Sequence, residues 1–224
     1  MAAVEKPVPF QPNTMADDLQ RSLRASLFTG AYEPGQPISI RQIAEKYKVS
    51  IMPARDALRS LVAEGVLIFR DSRTIVVPEL DGERLRDIRF ARDNLESELA
   101  YRACQNMGAE ELLTLRAIDR QLDQAIAEND TDAYVQGNHA FHFYIYRRAD
   151  SAVLHRLVET LWLQYAPSMR KVCAMYGASD IKHDFHRAAT AALEANDRNG
   201  FRKAISDDIH QGMDFIAAAR IPVA

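Results

Sequence analysis

Residues 49–65 read VSIMPARDALRSLVAEG, and this stretch decides how the N-terminal part of the chain folds. Four apolar residues recur at helical spacing and would form one face of a helix: Ala57, Leu58, Leu61 and Val62. Ser50 precedes this run and can cap the helix, and Pro53 suits a first turn, where its missing N–H is not needed. Arg55 and Arg59 lie one turn apart on the opposite side. The stretch therefore predicts an amphipathic helix whose polar side is either solvated or inserted into a DNA groove.

The segments around this helix predict further elements. Leucines at helical spacing mark a helix over 15–29, and Ser39 can cap a second helical run over 40–47. The β-branched runs VLIF and TIVV, separated by the polar turn RDSR, predict a hairpin within 66–77. Together these elements predict a winged helix-turn-helix domain over 15–78, whose second paired helix can lie in the major groove. The alternative is a helix pair that serves only for packing.

The remainder of the chain shows helical periodicity throughout. The candidate helices span 82–106, 109–128, 131–149, 151–176, 180–196 and 199–219. On the fourth of these helices an apolar stripe is expected to face the core: Val153, Leu157 and Leu161. The predicted fold class is mainly α, with the winged helix-turn-helix domain and its small β-hairpin wing followed by an all-helical bundle over 82–219. Residues 1–14 are expected to form a flexible arm and residues 79–81 a linker.

Composition excludes several classes of protein. The 224 residues carry a net charge of −3, which argues against a protein that coats nucleic acid in bulk. Cys104 and Cys173 match no metal or redox spacing, so we expect buried thiols in a reducing compartment. No apolar run approaches the ~20 residues of a membrane span, and the N-terminus lacks the apolar core of a signal peptide. These features predict a cytoplasmic protein.

The order PGQPISIRQIAEKYKVSIMPARDALRSLVAEGVL resembles the N-terminal domain of the GntR family of bacterial transcription regulators. The matching positions are Pro34-Gly35, Arg41-Gln42-Ile43-Ala44, Val49-Ser50, Pro53, Arg55, Ala57-Leu58, Leu61 and Glu64-Gly65. The resemblance implies that the domain binds double-stranded operator DNA and that Arg55 contacts a phosphate or a base edge. The residues expected at the DNA are Arg41, Ser50, Ile51, Met52, Arg55, Arg59, Arg70 and Arg73. Arg59 either contacts a phosphate or is solvated.

Two positions depart from the family pattern. Where the family commonly has an arginine that reads guanine, this chain has Ile51 followed by Met52, which can only press on a thymine methyl. The wing turn has Asp71-Ser72 instead of glycine, and a carboxylate there is expected to repel phosphate. One alternative is therefore a degenerate ligand-binding dimer with weakened DNA binding.

All six histidines fall within residues 139–210. Asn138, His142, His186 and His210 lie on the inward faces of three predicted helices, where they could converge on one metal ion. Imidazole nitrogens suit Zn or Ni, and three protein nitrogens leave coordination positions open for a ligand. The alternative is that these histidines are separate core or surface residues. The other three histidines are expected at the surface: His139, His155 and His183.

The second half of the chain resembles the FCD effector domain of the FadR-like GntR subfamily. The resemblance rests on Arg92-Asp-Asn-Leu-Glu96, Asn-His-Ala-Phe-His142, His186-Arg-Ala with the later Ala-Asn-Asp197, and His210. It implies that an Asp-x-x-x-His pair and two later histidines hold a divalent transition metal, Zn or Ni. Asn138 stands at the aspartate position, so the site is expected to lack one negative charge.

Arg92 interrupts an apolar stripe on the first helix of this half, and a buried guanidinium needs an anionic partner. That partner is either Glu96, four residues later, or the carboxylate of a bound effector. Tyr134 and Tyr165 could line the effector pocket, whereas Trp162 is expected in the core.

These expectations combine into a ligand-responsive transcription regulator, with repression relieved by a small carboxylate. A homodimer would place two recognition helices about one DNA turn apart, roughly 34 Å, on a near-palindromic operator. The alternative in a different class is a metal-dependent helical enzyme, which would use Asp180-x-x-His183 or Asp207-x-x-His210.

Overall fold

The computed structural model describes residues 15–170, 172 and 184–218, and the predicted arm, Cys173, Asp180 and His183 lie outside these ranges. Three helices form the N-terminal domain: α1 (Met15–Phe28), α2 (Ile40–Tyr47) and α3 (Ile51–Ala63). Leu19, Leu23 and Leu27 of α1 are buried, as their spacing predicted. They form one core with the inner faces of α2 and α3, so the helix-turn-helix pair rests on α1.

A small antiparallel sheet of three strands completes this domain: β1 (Pro37–Ile38), β2 (Ile68–Phe69) and β3 (Ile75–Val76). The central strand is β3, with Ile38 and Phe69 both opposite Ile75. The hairpin was predicted, but β1 was not, because its sequence lies in a stretch rich in Gly and Pro. Proline is tolerated on β1 because β1 is an edge strand.

Within its described residues, the helical domain contains six longer helices: α4 (Gly82–Cys104), α5 (Ala109–Glu128), α6 (Thr131–Tyr146), α7 (Ala152–Tyr165), α8 (Phe185–Glu194) and α9 (Arg198–Ala218). Short 3₁₀ turns follow α6 and α7. Three of the helices begin at aspartates whose side chains accept a backbone N–H, namely Asp81, Asp130 and Asp184. Helix α9 packs along α4 and α8, while α5 pairs with α6. This packing directs the inner faces of α6, α8 and α9 to one region.

The prediction of which apolar stripe of α7 faces the core is wrong. Val153 and Leu157 are 73% and 50% exposed, whereas Val158, Trp162 and Tyr165 are buried. The sequence carries two overlapping apolar stripes about one residue apart, and the one with the aromatic side chains faces the core. Aromatic rings bury more area, which explains this choice.

The two domains share packing at their junction. Leu163 of α7 is buried in the core of the N-terminal domain, and Phe28 of α1 packs against both cores. Arg84 of α4 donates hydrogen bonds to the Gly65 carbonyl and to Gln164 Oε1, both at 2.7 Å. The end of the recognition helix is thus tied to α4 and α7.

None of the helices within the described ranges is both long enough and apolar enough to cross a membrane.

Candidate functional site

The recognition helix α3 has the two faces that its sequence predicted. Ala54, Ala57, Leu58 and Leu61 are buried, and Val62 is half-buried. The residues expected at the DNA are all exposed: Arg41, Ser50, Ile51, Met52, Arg55, Arg59, Arg70 and Arg73. Within the described ranges, none of the five arginines forms an ion pair with another residue. Their charge is therefore available to phosphates.

Two polar side chains of the DNA face differ in the hydrogen bonds that they make. Ser50 takes the N-cap position of α3, but its hydroxyl makes no capping hydrogen bond. Asp71 accepts hydrogen bonds from the backbone N–H groups of Arg73 and Thr74, each at 2.8 Å. These hydrogen bonds lower the pKa of Asp71. Its carboxylate therefore shapes the wing turn, and its repulsion of phosphate stays a prediction.

Three side chains of the helical domain converge, two of them buried and the third, Asp208, half-buried. His142 of α6, His186 of α8 and Asp208 of α9 each offer a ligand atom within 4.8 Å of the others. Asp208 Oδ2 lies 3.0 Å from His142 Nε2, and Asp208 Oδ1 lies 3.6 Å from His186 Nε2. Two imidazoles and a carboxylate form a donor set that suits Zn, Ni and related ions and leaves coordination positions open. We refer to these three residues as the His–His–Asp triad.

The prediction that His210 joins His142 and His186 is wrong, because the His210 side chain lies away from the triad. His210 lies two residues after Asp208 on α9, so it points about 200° around the helix. Its side chain is partly exposed, with Nε2 3.5 Å from Asp93 Oδ2. Sequence reasoning missed Asp208 because an aspartate in the pair Asp207-Asp208 looks like a solvated surface acid. The signal that could have found it is its place on the inner stripe of α9, one turn before Gly212 and Met213 and one turn after Ile205.

Hydrogen bonds behind the triad fix the proton positions on both rings. Tyr146 Oη donates to Glu96 Oε2 at 2.7 Å, so it must accept from His142 Nδ1, which lies 3.0 Å away. Burial and Glu96 raise the pKa of Tyr146, which keeps this donor protonated. His186 Nδ1 lies 3.2 Å from Asp119 Oδ1, a carboxylate that can only accept. In their neutral forms, both rings therefore turn an Nε2 lone pair toward Asp208.

This arrangement fits a bound cation. Neither Nε2 atom has a hydrogen-bond partner, although both are buried. Burial lowers the pKa of His142, which favours its neutral, metal-binding form. Burial opposes ionisation of Asp208, but His186, His142 and Arg92 outweigh it and lower the pKa of Asp208 to about 2. Burial likewise opposes protonation of His186, but Asp208 and Asp119 outweigh it and raise its pKa. A positive charge between these atoms, from a proton or a metal ion, removes the repulsion between lone pairs and carboxylate.

A cavity of about 210 Å³ opens beside the triad. Asn138 and Tyr134 line it, together with His186 and Asp208. Asn138 is buried, which agrees with the inward orientation predicted for it, and its role as a ligand stays a prediction.

Arg92 takes the first of its two predicted partners. Its Nε and Nη2 donate to the two carboxylate oxygens of Glu96 at 2.6 and 3.1 Å, and both side chains are buried. The guanidinium lies over the rings of Tyr165 and Trp162, 3.9 and 4.9 Å from their centroids. Among the described residues, Arg92 and Tyr165 are not part of the cavity lining.

The expectation that His139 and His155 lie at the surface is wrong for His139. Its ring stacks on Phe143 at 4.2 Å and lies 4.6 Å from Phe28 of the N-terminal domain. Burial lowers the pKa of His139 to about 4. His155 is half-buried, with Nδ1 3.6 Å from Glu159 Oε1.

A winged helix-turn-helix domain with unpaired arginines, joined to a helical domain with a buried metal-type donor set, defines a class of DNA-binding transcription regulators. Known proteins identify the family. Residues 15–77 match the family described as bacterial regulatory proteins, gntR family, and residues 87–211 match the FCD domain. The chain therefore belongs to the gntR family of bacterial transcription regulators, in its FCD-containing branch.

Similar proteins agree with this assignment. The chain is 26% identical over 197 residues to the HTH-type transcriptional regulator McbR of Escherichia coli, covering 87% of this chain and 89% of McbR. It is 27% identical over 188 residues to the HTH-type transcriptional repressor GlaR of the same species, covering 80% and 86% of the two chains. The solved structure of E. coli McbR/YncC superposes with a TM-score of 0.84 at 24% identity, covering 94% of this chain and 100% of that one.

Proposed function

We propose that this regulator senses a small molecule through a metal ion held by the His–His–Asp triad. One observation carries this proposal: the Nε2 atoms of His142 and His186, on rings oriented by Tyr146 and Asp119, are buried, make no hydrogen bond and face the carboxylate of Asp208. When bound, Zn or Ni would supply a Lewis-acidic centre with open coordination positions that an effector can fill. The adjoining cavity provides room for that effector.

The position of the carboxylate differs from that implied by the family resemblance. Asn138 stands where an aspartate was expected, but Asp208 brings a carboxylate to the same site from α9. The charge that was expected to be missing is thereby restored. We therefore expect ordinary affinity for a divalent ion, with Asn138 as a weak additional ligand at most.

Contacts between the domains offer a route from this site to DNA. The Trp162 ring lies 5.2 Å from that of His142, and the next residue, Leu163, is buried in the core of the N-terminal domain. His139, one turn before His142 on α6, contacts both Trp162 and Phe28 of α1. A shift of α6 or α7 upon ligand binding would therefore displace α1, on which the recognition helix rests.

Binding as a homodimer to a near-palindromic operator follows from the usual geometry of this motif, with recognition helices roughly 34 Å apart. We propose that effector binding favours one arrangement of the two DNA-binding domains and so relieves repression. Specificity for the operator would rest on Arg55, on contacts of Ile51 and Met52 with thymine methyl groups, and on DNA shape. The Ile51 and Met52 side chains are 41% and 58% exposed and can make such contacts. The expectation that Arg92 binds the carboxylate of an effector loses support, because the Arg92 guanidinium is already paired with Glu96.

Intrinsic fluorescence tests the metal site, since Trp162 is the one tryptophan in the sequence and lies against His142. Adding Zn²⁺ or Ni²⁺ to the metal-free protein should change the emission and saturate at one ion per chain. His186→Ala should lose the response, while His210→Ala, which changes a histidine outside the triad, should keep it. A response that depends on His210 and not on His186 would place the metal elsewhere.

A further inference from the structure

Two helices of the N-terminal domain end in the same way. Gly30 follows α1 and Gly65 follows α3, with φ of 67° and 69°, a left-handed conformation that glycine adopts without strain. In each case the glycine N–H bonds the carbonyl three residues earlier, and the next N–H bonds the carbonyl five residues earlier. The last carbonyl groups of each helix end stay outside this pattern and need other donors.

An arginine of the helical domain supplies the donor at the end of α3. Arg84, in the first turn of α4, donates from Nη2 to the Gly65 carbonyl and to Gln164 Oε1, both at 2.7 Å. Both acceptors are uncharged, and burial lowers the pKa of Arg84. The contact is therefore weaker than an ion pair of the same geometry, and a carboxylate at position 164 would strengthen it.

A second arginine makes the corresponding contact at the end of α1. Arg170 follows the 3₁₀ turn after α7, and its Nη1 donates to the Thr29 carbonyl at 3.5 Å and pairs with Asp132 of α6. Its stem packs directly on Gly30, where a Cβ atom would come within 2.9 Å of Arg170 Cδ. Both arginines thus contact the C-terminal end of a helix, where the helix dipole favours a positive charge. We refer to Arg84 and Arg170 as the arginine clasp.

Each polar contact of the clasp adjoins an apolar contact between the domains. Gln164 directly follows Leu163, which is buried in the N-terminal core. Thr29 directly follows Phe28, which packs against both cores. Burial of apolar surface is non-directional, whereas hydrogen bonds depend on angle, so the clasp adds a defined orientation to this packing.

We infer that the arginine clasp fixes the orientation of the DNA-binding domain on the helical domain, and with it the spacing of the two recognition helices in the dimer. Arg84 and Arg170 act through α3 and α1, so they are positioning residues and need no contact with DNA. The inference rests on the homodimer of the proposed function, because an orientation within one chain becomes a spacing only between two chains. A fixed orientation confines tight binding to one half-site spacing, and a released clasp lets the domain follow others.

Half-site spacing tests the clasp directly. Fluorescence anisotropy compares two duplexes: a fragment selected by the wild type from a random pool, and the same fragment with two base pairs inserted at its centre. The insertion rotates one half-site by roughly 70° relative to the other, so the full-length wild type should prefer the selected fragment by roughly tenfold or more. Arg84→Gln should reduce this preference by roughly threefold or more, and Arg170→Gln should act in the same direction.

Arg86→Gln is the matched control, because it removes the same charge from an exposed position of the same helix and should keep the wild-type preference. Gln164→Glu makes the opposite change: it gives Arg84 a carboxylate acceptor and should raise the preference roughly twofold or more. This variant decides the question if Arg84→Gln does not fold, which circular dichroism shows.

Two results would overturn the clasp alone. One is an unchanged preference in both Arg84→Gln and Gln164→Glu, and the other is a loss of affinity by the same factor on both duplexes in Arg84→Gln, which marks a merely structural role. Equal binding of the two duplexes by the wild type would overturn the homodimer of the proposed function, and the clasp with it. The failure of the clasp can therefore be told apart from the failure of the proposed function.

Discussion

At the scale of single residues, the proposed metal site depends on side chains that lie outside the His–His–Asp triad. Glu96 receives Arg92 on one side and the Tyr146 hydroxyl on the other, and Tyr146 in turn orients His142. Asp119 performs the same task for His186. Such outer partners hold a ring in its metal-binding tautomer and raise the basicity of its lone pair.

Tyr146→Phe is therefore expected to weaken metal binding by roughly 10- to 100-fold, since His142 loses the acceptor that fixes its Nδ1–H. Competition with a chromogenic chelator measures this affinity. Tyr144→Phe is the matched control, because Tyr144 lies on the same helix but packs against Arg148. Equal affinity in wild type and Tyr146→Phe would show that the hydrogen bond does not support the site.

Part of this site could be predicted from sequence. His142 and His186 were recognised because each lies on an apolar helical stripe, where an imidazole stands out. Asp208 did not stand out, since its neighbour Asp207 is an acid that pairs with Lys203 at the surface. Only the packing of α9 against α4 and α8, which brings Asp208 to His142 and His186, distinguishes the two.

At the scale of elements, the turn between α2 and α3 stores strain. Lys48 ends α2 with φ 54° and ψ 44°, a left-handed conformation that favours glycine. Its backbone N–H bonds to the carbonyls of Ala44 and Glu45, which holds the turn closed. The pair of helices thus keeps its angle at the expense of an unfavourable backbone conformation.

Lys48→Gly should raise the free energy of unfolding by about 0.5–1 kcal/mol, because relief of the left-handed strain exceeds the added flexibility of the unfolded chain. Urea denaturation followed by circular dichroism measures it. Glu45→Gly, an exposed position inside α2, should instead lower stability by about 1 kcal/mol. Destabilisation by both changes would mean that no strain is stored at Lys48.

Most elements were predictable because helical periodicity and caps are local signals. The sequence placed α5 at 109–128, and the structure has Ala109–Glu128. Strand β1 and the buried face of α7 were not predictable in this way. Pairing of Pro37 with Val76 joins residues far apart in the chain, and the choice between two apolar stripes depends on what packs against them.

At the scale of the whole molecule, the junction of the domains is the route by which the proposed response would reach the DNA-binding domain. Trp162 contacts His142 of α6, and the next residue, Leu163, is buried in the core of the N-terminal domain, while Arg84 ties α4 to the end of α3. This interlocking could not be predicted from sequence, because Leu163 looks like any other residue of an apolar helix. Under the proposed function, it would carry an event at the triad to Arg55 without a contact between them.

Affinity for DNA with and without metal tests the central claim most directly. The DNA is a fragment selected with the wild-type protein from a random pool, and fluorescence anisotropy measures binding with zinc and after its removal. We expect zinc to change the DNA affinity of the wild type roughly fivefold or more. The DNA affinity of Asp208→Ala should be the same with and without zinc, and Arg55→Ala should bind DNA weakly in both states. Equal DNA affinity with and without zinc, in a protein whose Trp162 fluorescence shows that zinc is bound, would contradict a regulator that responds through this site.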